Sequence, residues 1–127
     1  MRIAGIGTQI VECLRVRKLI ERHGERFLTQ VYTPQELAYI QQTRHTTEHY
    51  SAIWAAKEAV YRCLGTTWRR GMAWTDIEVV CDNLVEPGIV LTGAASQLLQ
   101  ARHAQRILVS LAHCRAYATA TAIAVRV

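Results

Sequence analysis

The segment from Trp54 to Thr66 constrains the fold most, because it reads as one helix with small residues on one side and a glycine stop. Alanine and leucine favour helices, since they lose little side-chain freedom there. Gly65 suits the left-handed conformation that often follows a helix end. Glu58 and Arg62 stand four residues apart, so they share a face and can form an ion pair. By itself such a pair is typical of a solvated helix surface.

The length and composition predict one soluble domain. The chain has 127 residues, enough for a single domain over 1–127 and too few for two. No run of about twenty apolar residues occurs, so we expect no membrane span. Residues 1–5 lead straight into strand-like sequence without the apolar region of a signal peptide, which favours a cytoplasmic protein. The four cysteines lack C-x-x-C spacing, which favours buried thiols over disulfides or a structural zinc site.

The net charge of +5 favours an acidic partner, whether nucleic acid, a phosphorylated small molecule or an acidic protein. Much of the excess lies between residues 15 and 26, in a segment that reads as an amphipathic helix. A basic helix face is often merely solvated, but this one is the best candidate for a docking surface. No aromatic stacking platform accompanies it, so nucleic-acid binding is disfavoured.

Hydrophobic periodicity and turn signals predict an α+β domain with a mainly antiparallel sheet and a long central helix. Thr33, Pro34 and Glu36 form a helix start with a capping box. Thr46 or Thr47 should cap the central helix, and alternating alanines in the last strand predict tight packing against a helix or another subunit. The predicted elements are strands at 2–11, 76–82, 89–91, 105–111 and 117–127, helices at 12–26, 34–42, about 47–64 and 94–102, and a hairpin turn at 83–88.

The segment 45–49 matches H-x-x-E-H, the inverted zinc-protease signature. Histidines four apart on a helix can hold zinc while the glutamate acts as a base. Here the pattern is expected to straddle a turn and a helix start, so His45 and His49 would not share a face. We therefore interpret both as surface residues near a helix N-terminus.

Three segments occur in one order: G-I-G-T-Q-I-V-E at 5–12, whose two glycines should let another backbone come close, A-A-K-E-A with L-G-T at 55–66, and V-S-L-A-H at 109–113. This set resembles the holo-[acyl-carrier-protein] synthase family, small phosphopantetheinyl transferases whose pattern is G-I-G-x-D-I-x-E, F-A-A-K-E-A with L-G-T, and V-S-I-S-H. The segments Y-T-P-Q-E-L at 32–37 and D-I-E-V at 76–79 are similar to other parts of that family. The resemblance covers nearly the whole chain and implies the 4′-phosphopantetheinyl transferase fold.

The resemblance implies transfer of 4′-phosphopantetheine from coenzyme A to a serine of an acyl carrier protein, releasing adenosine 3′,5′-bisphosphate. The attacked phosphorus is crowded by negative oxygens, so a divalent cation and basic groups are needed to spread the charge. By this resemblance Glu58 and the residue at position 9 hold Mg²⁺, and Glu58 or a metal-bound water takes the serine proton. Lys57 is the second residue implied in catalysis.

The same resemblance implies where the two substrates bind. Lys57 and Arg62 would face the coenzyme A phosphates, unless they are plain surface charges. Gly65 and Thr66 would let the nucleotide approach closely. His113, if it is not structural, would reach the nucleotide from a neighbouring subunit, since the family's sites form between subunits of a trimer. The basic first helix would meet the carrier protein, chiefly through Arg15 and Arg22.

The chain departs from the family pattern at charged positions. Gln9 stands in place of the metal-binding aspartate, opposite Glu58, so we expect weaker Mg²⁺ binding and slower turnover. Ile53 replaces a usual arginine, Trp54 a phenylalanine and Glu86 a common lysine. Two functions follow: a working transferase with a modified metal site, or a relative that binds coenzyme A or a carrier protein without efficient transfer.

Overall fold

The computed structural model describes residues 1–81 and 86–127 of the chain. The strands are β1 (Arg2–Glu12), β2 (Ile77–Val80), β3 (Gly88–Leu91), β4 (Arg106–His113) and β5 (Tyr117–Arg126). The helices are α1 (Cys13–His23), α2 (Glu25–Val31), α3 (Pro34–Gln41), α4 (Thr46–Cys63) and α5 (Gly93–Ala101). No helix in these described ranges is long and apolar enough to cross a membrane.

A three-stranded antiparallel sheet, in the order β1–β5–β4, packs one face on the long helix α4. The alternating alanines of β5 make this close packing possible, because Ala118, Ala120, Ala122 and Ala124 are all buried. Of the two predicted partners for this small-residue face, a helix or another subunit, the structure shows the helix α4. Strands β2 and β3 form a separate two-stranded antiparallel sheet.

Two glycines of β1 bring its backbone against α4. A methyl group on Gly7 would lie 2.0 Å from the carbonyl oxygen of Ala59, and one on Gly5 would lie 1.9 Å from that of Cys63. No side chain fits in either gap. The expectation that these glycines admit another backbone is confirmed. Their close approach places β1 beside the C-terminal turns of α4.

The structure corrects several predicted element boundaries. The expected helix over 12–26 is two helices, because Gly24 adopts a positive φ of 55° that ends α1 and redirects the chain into α2. His45, without a side-chain cap, precedes α4, so neither Thr46 nor Thr47 is the cap. A 3-10 turn at Trp74–Asp76 shortens the expected strand at 76–82. Of the turn expected at 83–88, residues 83–85 lie outside the described residues, and Gly88 already belongs to β3.

The capping box at the start of α3 is present as predicted. The Thr33 hydroxyl accepts from the Glu36 amide at 3.2 Å, and Glu36 Oε1 accepts from the Thr33 amide at 2.8 Å. Glu36 is also fully buried, and its second oxygen accepts from the Val79 amide at 2.7 Å. One carboxylate therefore ties α3 to β2.

Candidate active site

One face of α4, at the edge of its contact with β1, carries three residues spaced four apart: Trp54, Glu58 and Arg62. Trp54 is buried, Glu58 half-buried and Arg62 exposed. Within the described residues no ion pair joins Glu58 to Arg62, so the pairing that their spacing allows is not made. Both charged groups are left to face the cavities that border this face.

The structure brings Gln9 and Glu58 together, as the family resemblance implies. The close approach of β1 places Gln9 over α4, where its Nε2 donates to Glu58 Oε2 at 2.5 Å. Gln9 Oε1 accepts from the Ile10 amide at 3.2 Å. An aspartate at position 9 would repel Glu58 without a cation, whereas the neutral amide can bond to it directly.

The donor set fits a magnesium ion that takes its remaining ligands from substrate and water. Glu58 offers a carboxylate and Gln9 an amide oxygen, and Mg²⁺ commonly takes one or two protein carboxylates with phosphate oxygens and waters. In the part of the chain that the structure describes, no group of three His, Cys, Asp or Glu residues forms a self-sufficient metal site. A cation here requires phosphate oxygens as partners.

An open cleft of about 580 Å³ begins at Arg62 and continues past the end of α4. Its walls are Ile6–Thr8 on β1, and Gly65–Thr67 with Arg69 on the loop. The Gly65 amide bonds to the Arg62 carbonyl at 2.9 Å and the Thr66 amide to the Tyr61 carbonyl at 3.0 Å, a glycine-terminated helix end. Glycine backbone flanked by arginines is a surface that a phosphate-bearing ligand can approach closely.

Arg102, which the sequence did not single out, supports this helix end from beneath. Its Nε donates to the Leu64 carbonyl at 2.9 Å and its Nη1 to the Ala4 carbonyl at 3.2 Å. A methyl group on Gly65, whose φ is 86°, would lie 1.7 Å from Arg102 Nη2. Gly65 is thus required both by its backbone conformation and by the guanidinium below it.

A second cavity, of about 220 Å³, adjoins the cleft on the other side of Arg62. Three indoles form its walls, those of Trp54, Trp68 and Trp74, with Arg15 and Glu58 at its edges. The Arg15 guanidinium lies 5.5 Å from the Trp54 ring centroid, a cation–π contact. Trp68 and Trp74 were not singled out from the sequence, because a loop tryptophan shows no periodicity.

Lys57 does not face this surface, so the expectation that it contacts coenzyme A phosphates is corrected. Its side chain is fully buried, and Nζ lies 2.7 Å from Glu36 Oε1. The same Nζ donates to the carbonyls of Ile77 at 2.6 Å and Trp74 at 3.2 Å. Burial lowers the pKa of Lys57, and the Glu36 carboxylate partly offsets the shift. Lys57 fixes α4 to the strand and turn behind it.

His113 lies at the opposite end of α4. Its Nδ1 is 2.8 Å from Glu48 Oε1, and its ring centroid is 4.8 Å from that of His49. Helix α4 has 18 residues, so its first turn and Gly65 are separated by about 25 Å. His113 and Gly65 of one chain therefore cannot contact the same nucleotide phosphate. In the H-x-x-E-H segment, His45 precedes α4 and His49 lies within it. The glutamate of the segment, Glu48, pairs with His113.

Arg15 and Arg22 are both exposed on α1. They stand seven positions apart, about two helical turns, so they project from the same side of the helix. Arg17 is paired with Glu21 at 3.2 Å on the exposed surface. Arg15, near the start of α1, lines the aromatic cavity together with Glu58. The basic helix and Glu58 therefore border the same cavity.

Comparisons with known proteins agree with this arrangement. The family model described as the 4′-phosphopantetheinyl transferase superfamily matches residues 5–122. A holo-[acyl-carrier-protein] synthase of Rhodopirellula baltica is 41% identical over 120 residues, covering 94% of this chain and 95% of its own. One from Solibacter usitatus is 36% identical over 121 residues, covering 95% and 97%.

Solved structures give the same result. The holo-[acyl-carrier-protein] synthase from Neisseria meningitidis matches with a TM-score of 0.87 at 28% identity, covering 98% of this chain and all of that one. A Chronobacterium ammoniagenes ACPS–CoA complex matches with a TM-score of 0.85 at 26% identity, covering 100% and 99%.

Fold and site thus define a phosphopantetheinyl transferase, and the chain belongs to the 4′-phosphopantetheinyl transferase superfamily. Its relatives place it within the holo-[acyl-carrier-protein] synthase family of transferases.

Proposed function

We propose that the chain transfers 4′-phosphopantetheine from coenzyme A to a serine hydroxyl of an apo acyl carrier protein. The observation that carries the proposal is that Arg62 lines both the glycine-terminated cleft and the adjoining aromatic cavity, and that Glu58 lines the same aromatic cavity. The family relatives and the coenzyme A complex of a similar protein support the same substrates.

The residues divide the chemistry between them. Arg62 and Arg69, with the backbone at Gly65 and Thr66, bind the phosphates of coenzyme A and hold its nucleotide in the open cleft. The serine oxygen forms a bond to the phosphorus that carries pantetheine, and the bond from that phosphorus to the bridging oxygen breaks. Adenosine 3′,5′-bisphosphate leaves with that oxygen, and the serine proton passes to Glu58.

Magnesium, held by Glu58 and the amide oxygen of Gln9, would neutralise negative charge on the phosphates when bound. For Gln9 to take part, its amide must turn so that the oxygen replaces the NH₂ group that now faces Glu58. The slower turnover expected from Gln9 stays a prediction. Lys57 acts as a positioning residue, because it anchors the helix turn that carries Glu58.

We propose that the complete site forms between copies in a homotrimer. The separation of His113 from Gly65 along α4 supports this, since His113 can serve a nucleotide only on a neighbouring copy. The outer sheet face supports it too, because Ile6 and Ile10 are each 60% exposed and Leu108 is 41% exposed. Ile6 is paired with Ile123, which is paired with Leu108, so an apolar row crosses all three strands.

We further propose that Arg15 and Arg22 dock the acidic carrier protein, which lies beside the aromatic cavity when it delivers its serine. Residues 1–127 would act as one catalytic domain, in keeping with the family match over 5–122. The buried thiols of Cys13 and Cys63 suit a reducing cytoplasm, where coenzyme A and the carrier protein are met.

The test is transfer itself. The protein is incubated with apo carrier protein, coenzyme A and Mg²⁺, and the carrier is weighed by mass spectrometry. We expect a gain of one 4′-phosphopantetheine group. Coenzyme A binding without any gain in carrier mass, at every Mg²⁺ concentration, would establish the alternative of a binding protein and contradict transfer.

The role assigned to Gln9 has its own test. Gln9→Asp should lower the Mg²⁺ concentration needed for half-maximal rate, and an unchanged Mg²⁺ requirement would refute that role.

A further inference from the structure

We propose that Arg102 is a positioning residue that makes the C-terminal end of α4 able to hold the phosphates of coenzyme A. The inference rests on the proposed function and deepens it, because it adds a residue outside the open cleft to those that bind the nucleotide. Arg102 does not itself line that cleft. It acts through the backbone of the two walls that do.

The open cleft lies at the end of a helix that disfavours anions. The carbonyl groups at a helix C-terminus carry partial negative charge, whereas phosphates are ordinarily bound at the positive N-terminus. Helix α4 ends at Cys63, and the cleft residues Gly65 and Thr66 follow one residue later. A phosphate held there meets the negative end of the helix. The cleft therefore needs a cation close to these carbonyls, in addition to Arg62 and Arg69 at its walls.

Arg102 supplies positive charge at this helix end. Its Nε donates to the Leu64 carbonyl at 2.9 Å, the first carbonyl after α4. Within the described residues no ion pair joins Arg102 to a carboxylate, so no counter-ion there cancels its charge. The charge also acts inside α4, because burial raises the pKa of the Cys63 thiol to about 12 and Arg102 opposes that rise. The guanidinium thus offsets the negative helix end where a phosphate approaches.

The same guanidinium fixes the two walls of the cleft relative to each other. Its Nη1 donates to the Ala4 carbonyl at 3.2 Å, two residues before the wall that β1 contributes at 6–8. The Leu64 carbonyl lies one residue before the opposite wall at 65–67. A planar guanidinium presents its donors in a rigid fork, whereas a lysine ammonium is a compact point charge. Arg102 can therefore set the width of the cleft, and a lysine could do so only in part.

Arg102 is itself held in place from two sides. Its backbone amide lies 3.2 Å from each of the carbonyls of Leu98 and Leu99, at the end of α5. Its own carbonyl accepts from Arg126 Nε at 2.9 Å, at the end of β5. The side chain is half-buried, and its Nη2 packs so closely on Gly65 that a methyl group there would lie 1.7 Å away. The guanidinium therefore has a fixed position before any ligand binds.

The experiment measures transfer kinetics and ligand affinity for Arg102→Gln and Arg102→Lys. Arg102→Gln should raise both the KM for coenzyme A and the Kd of adenosine 3′,5′-bisphosphate about tenfold, as for the loss of charged hydrogen bonds. The kcat and the KM for the carrier protein should change little, because Glu58 and the docking helix are untouched. Arg102→Lys should recover part of the affinity. Arg26→Gln, an exposed arginine on α2, is the control and should bind both ligands like the wild type.

Chemical rescue distinguishes this role from general support of the fold. In Arg102→Ala the guanidinium is missing, and methylguanidinium is a free ion of the same chemistry. Methylguanidinium chloride should lower the KM of Arg102→Ala for coenzyme A towards the wild-type value. Sodium chloride at the same ionic strength should not, and neither salt should lower the KM of the wild type.

Three results would overturn the role of Arg102. The first is a wild-type Kd of Arg102→Gln for the bisphosphate. The second is an equal rise in KM for both substrates, and the third is rescue of Arg102→Ala by sodium chloride as well as by methylguanidinium. Where Arg102→Gln does not fold, Arg102→Lys is measured in its place, with a smaller weakening of the same two constants expected. Failure of the wild-type protein to bind the bisphosphate would instead contradict the proposed function itself.

Discussion

At the scale of single residues, the site depends on side chains whose roles differ according to burial. Glu58 and Lys57 are adjacent in the sequence, yet Glu58 contacts Gln9 and lines the aromatic cavity, whereas Lys57 is enclosed. The A-A-K-E-A motif predicts that Glu58 lies in the site. It cannot show that Lys57 is buried, because its partner Glu36 lies far away in the chain. Glu36 was recognised only as a cap, and its contact with Lys57 exists only once α3 has packed on α4.

Replacing Lys57 with methionine should strongly destabilise the protein. The substitution leaves the Glu36 carboxylate buried without its cation, a loss that costs about 3–5 kcal/mol of unfolding free energy. Urea unfolding followed by circular dichroism measures it. Lys18→Met, on the exposed side of α1, is the matched control and should change stability little. A Lys57→Met protein as stable as the control would refute the structural role.

His49 should make stability depend on pH. Burial lowers its pKa, and the neighbouring His113 lowers it further. The unfolded chain therefore binds more protons as the pH falls through the ordinary histidine pKa, so stability present above that value is lost below it. The groups that face His49 are His45, Glu48, His113 and Tyr39.

The measurement is urea unfolding at about pH 7.5 and about pH 5.5, on either side of the ordinary histidine pKa. The loss of stability on acidification should be smaller in His49→Gln than in the wild type. His23→Gln, at the exposed end of α1, should retain the wild-type loss. Protonation of Glu48 affects stability only at a lower pH than that of His49. The hydrogen bond to His113 lowers the pKa of Glu48 below the ordinary carboxyl value. An equal loss in wild type and His49→Gln would contradict this account.

At the scale of elements, the contact between β1 and α4 positions the site, and much of it was predictable. The G-I-G motif indicated close backbone approach, and the alternating alanines of β5 indicated a tightly packed face. The break at Gly24 and the 3-10 turn before β2 were missed, since a helical period continues across Gly24 and only the backbone conformation reveals the turn. The aromatic cavity was missed for a similar reason, as it joins α1, α4 and a loop.

Gly7→Ala tests the β1–α4 contact. The added methyl group would lie 2.0 Å from the Ala59 carbonyl oxygen and 2.5 Å from the Cys63 nitrogen, so one element must move. We expect a loss of about 1–3 kcal/mol or more of unfolding free energy and weaker contact between Gln9 and Glu58. Gly88→Ala is the control, because its methyl group would meet Val80 at an ordinary 3.7 Å. Equal stability of the two variants would show that β1 does not approach α4 this closely.

At the scale of the whole molecule, the two ends of α4 carry different halves of the proposed site. The exposed apolar row on the outer sheet face is where copies should meet. Leu108→Glu places a charge in this row, outside both cavities of the site. Light scattering should give three times the chain mass for the wild type and a lower mass for Leu108→Glu, with loss of transfer. Gln100→Glu, exposed on α5, should remain trimeric, and a monomeric wild type that transfers efficiently would contradict the shared site.

The central claim, that Glu58 beside the aromatic cavity serves phosphopantetheine transfer, is tested most directly by one rate. That rate is the initial rate of carrier-protein modification by Glu58→Gln, measured beside Glu25→Gln, a charge change on the exposed start of α2. Loss of a positioned acid–base group should lower the rate by about 10²-fold or more, while Glu25→Gln transfers like the wild type. A Glu58→Gln protein that modifies the carrier at the wild-type rate would contradict the account.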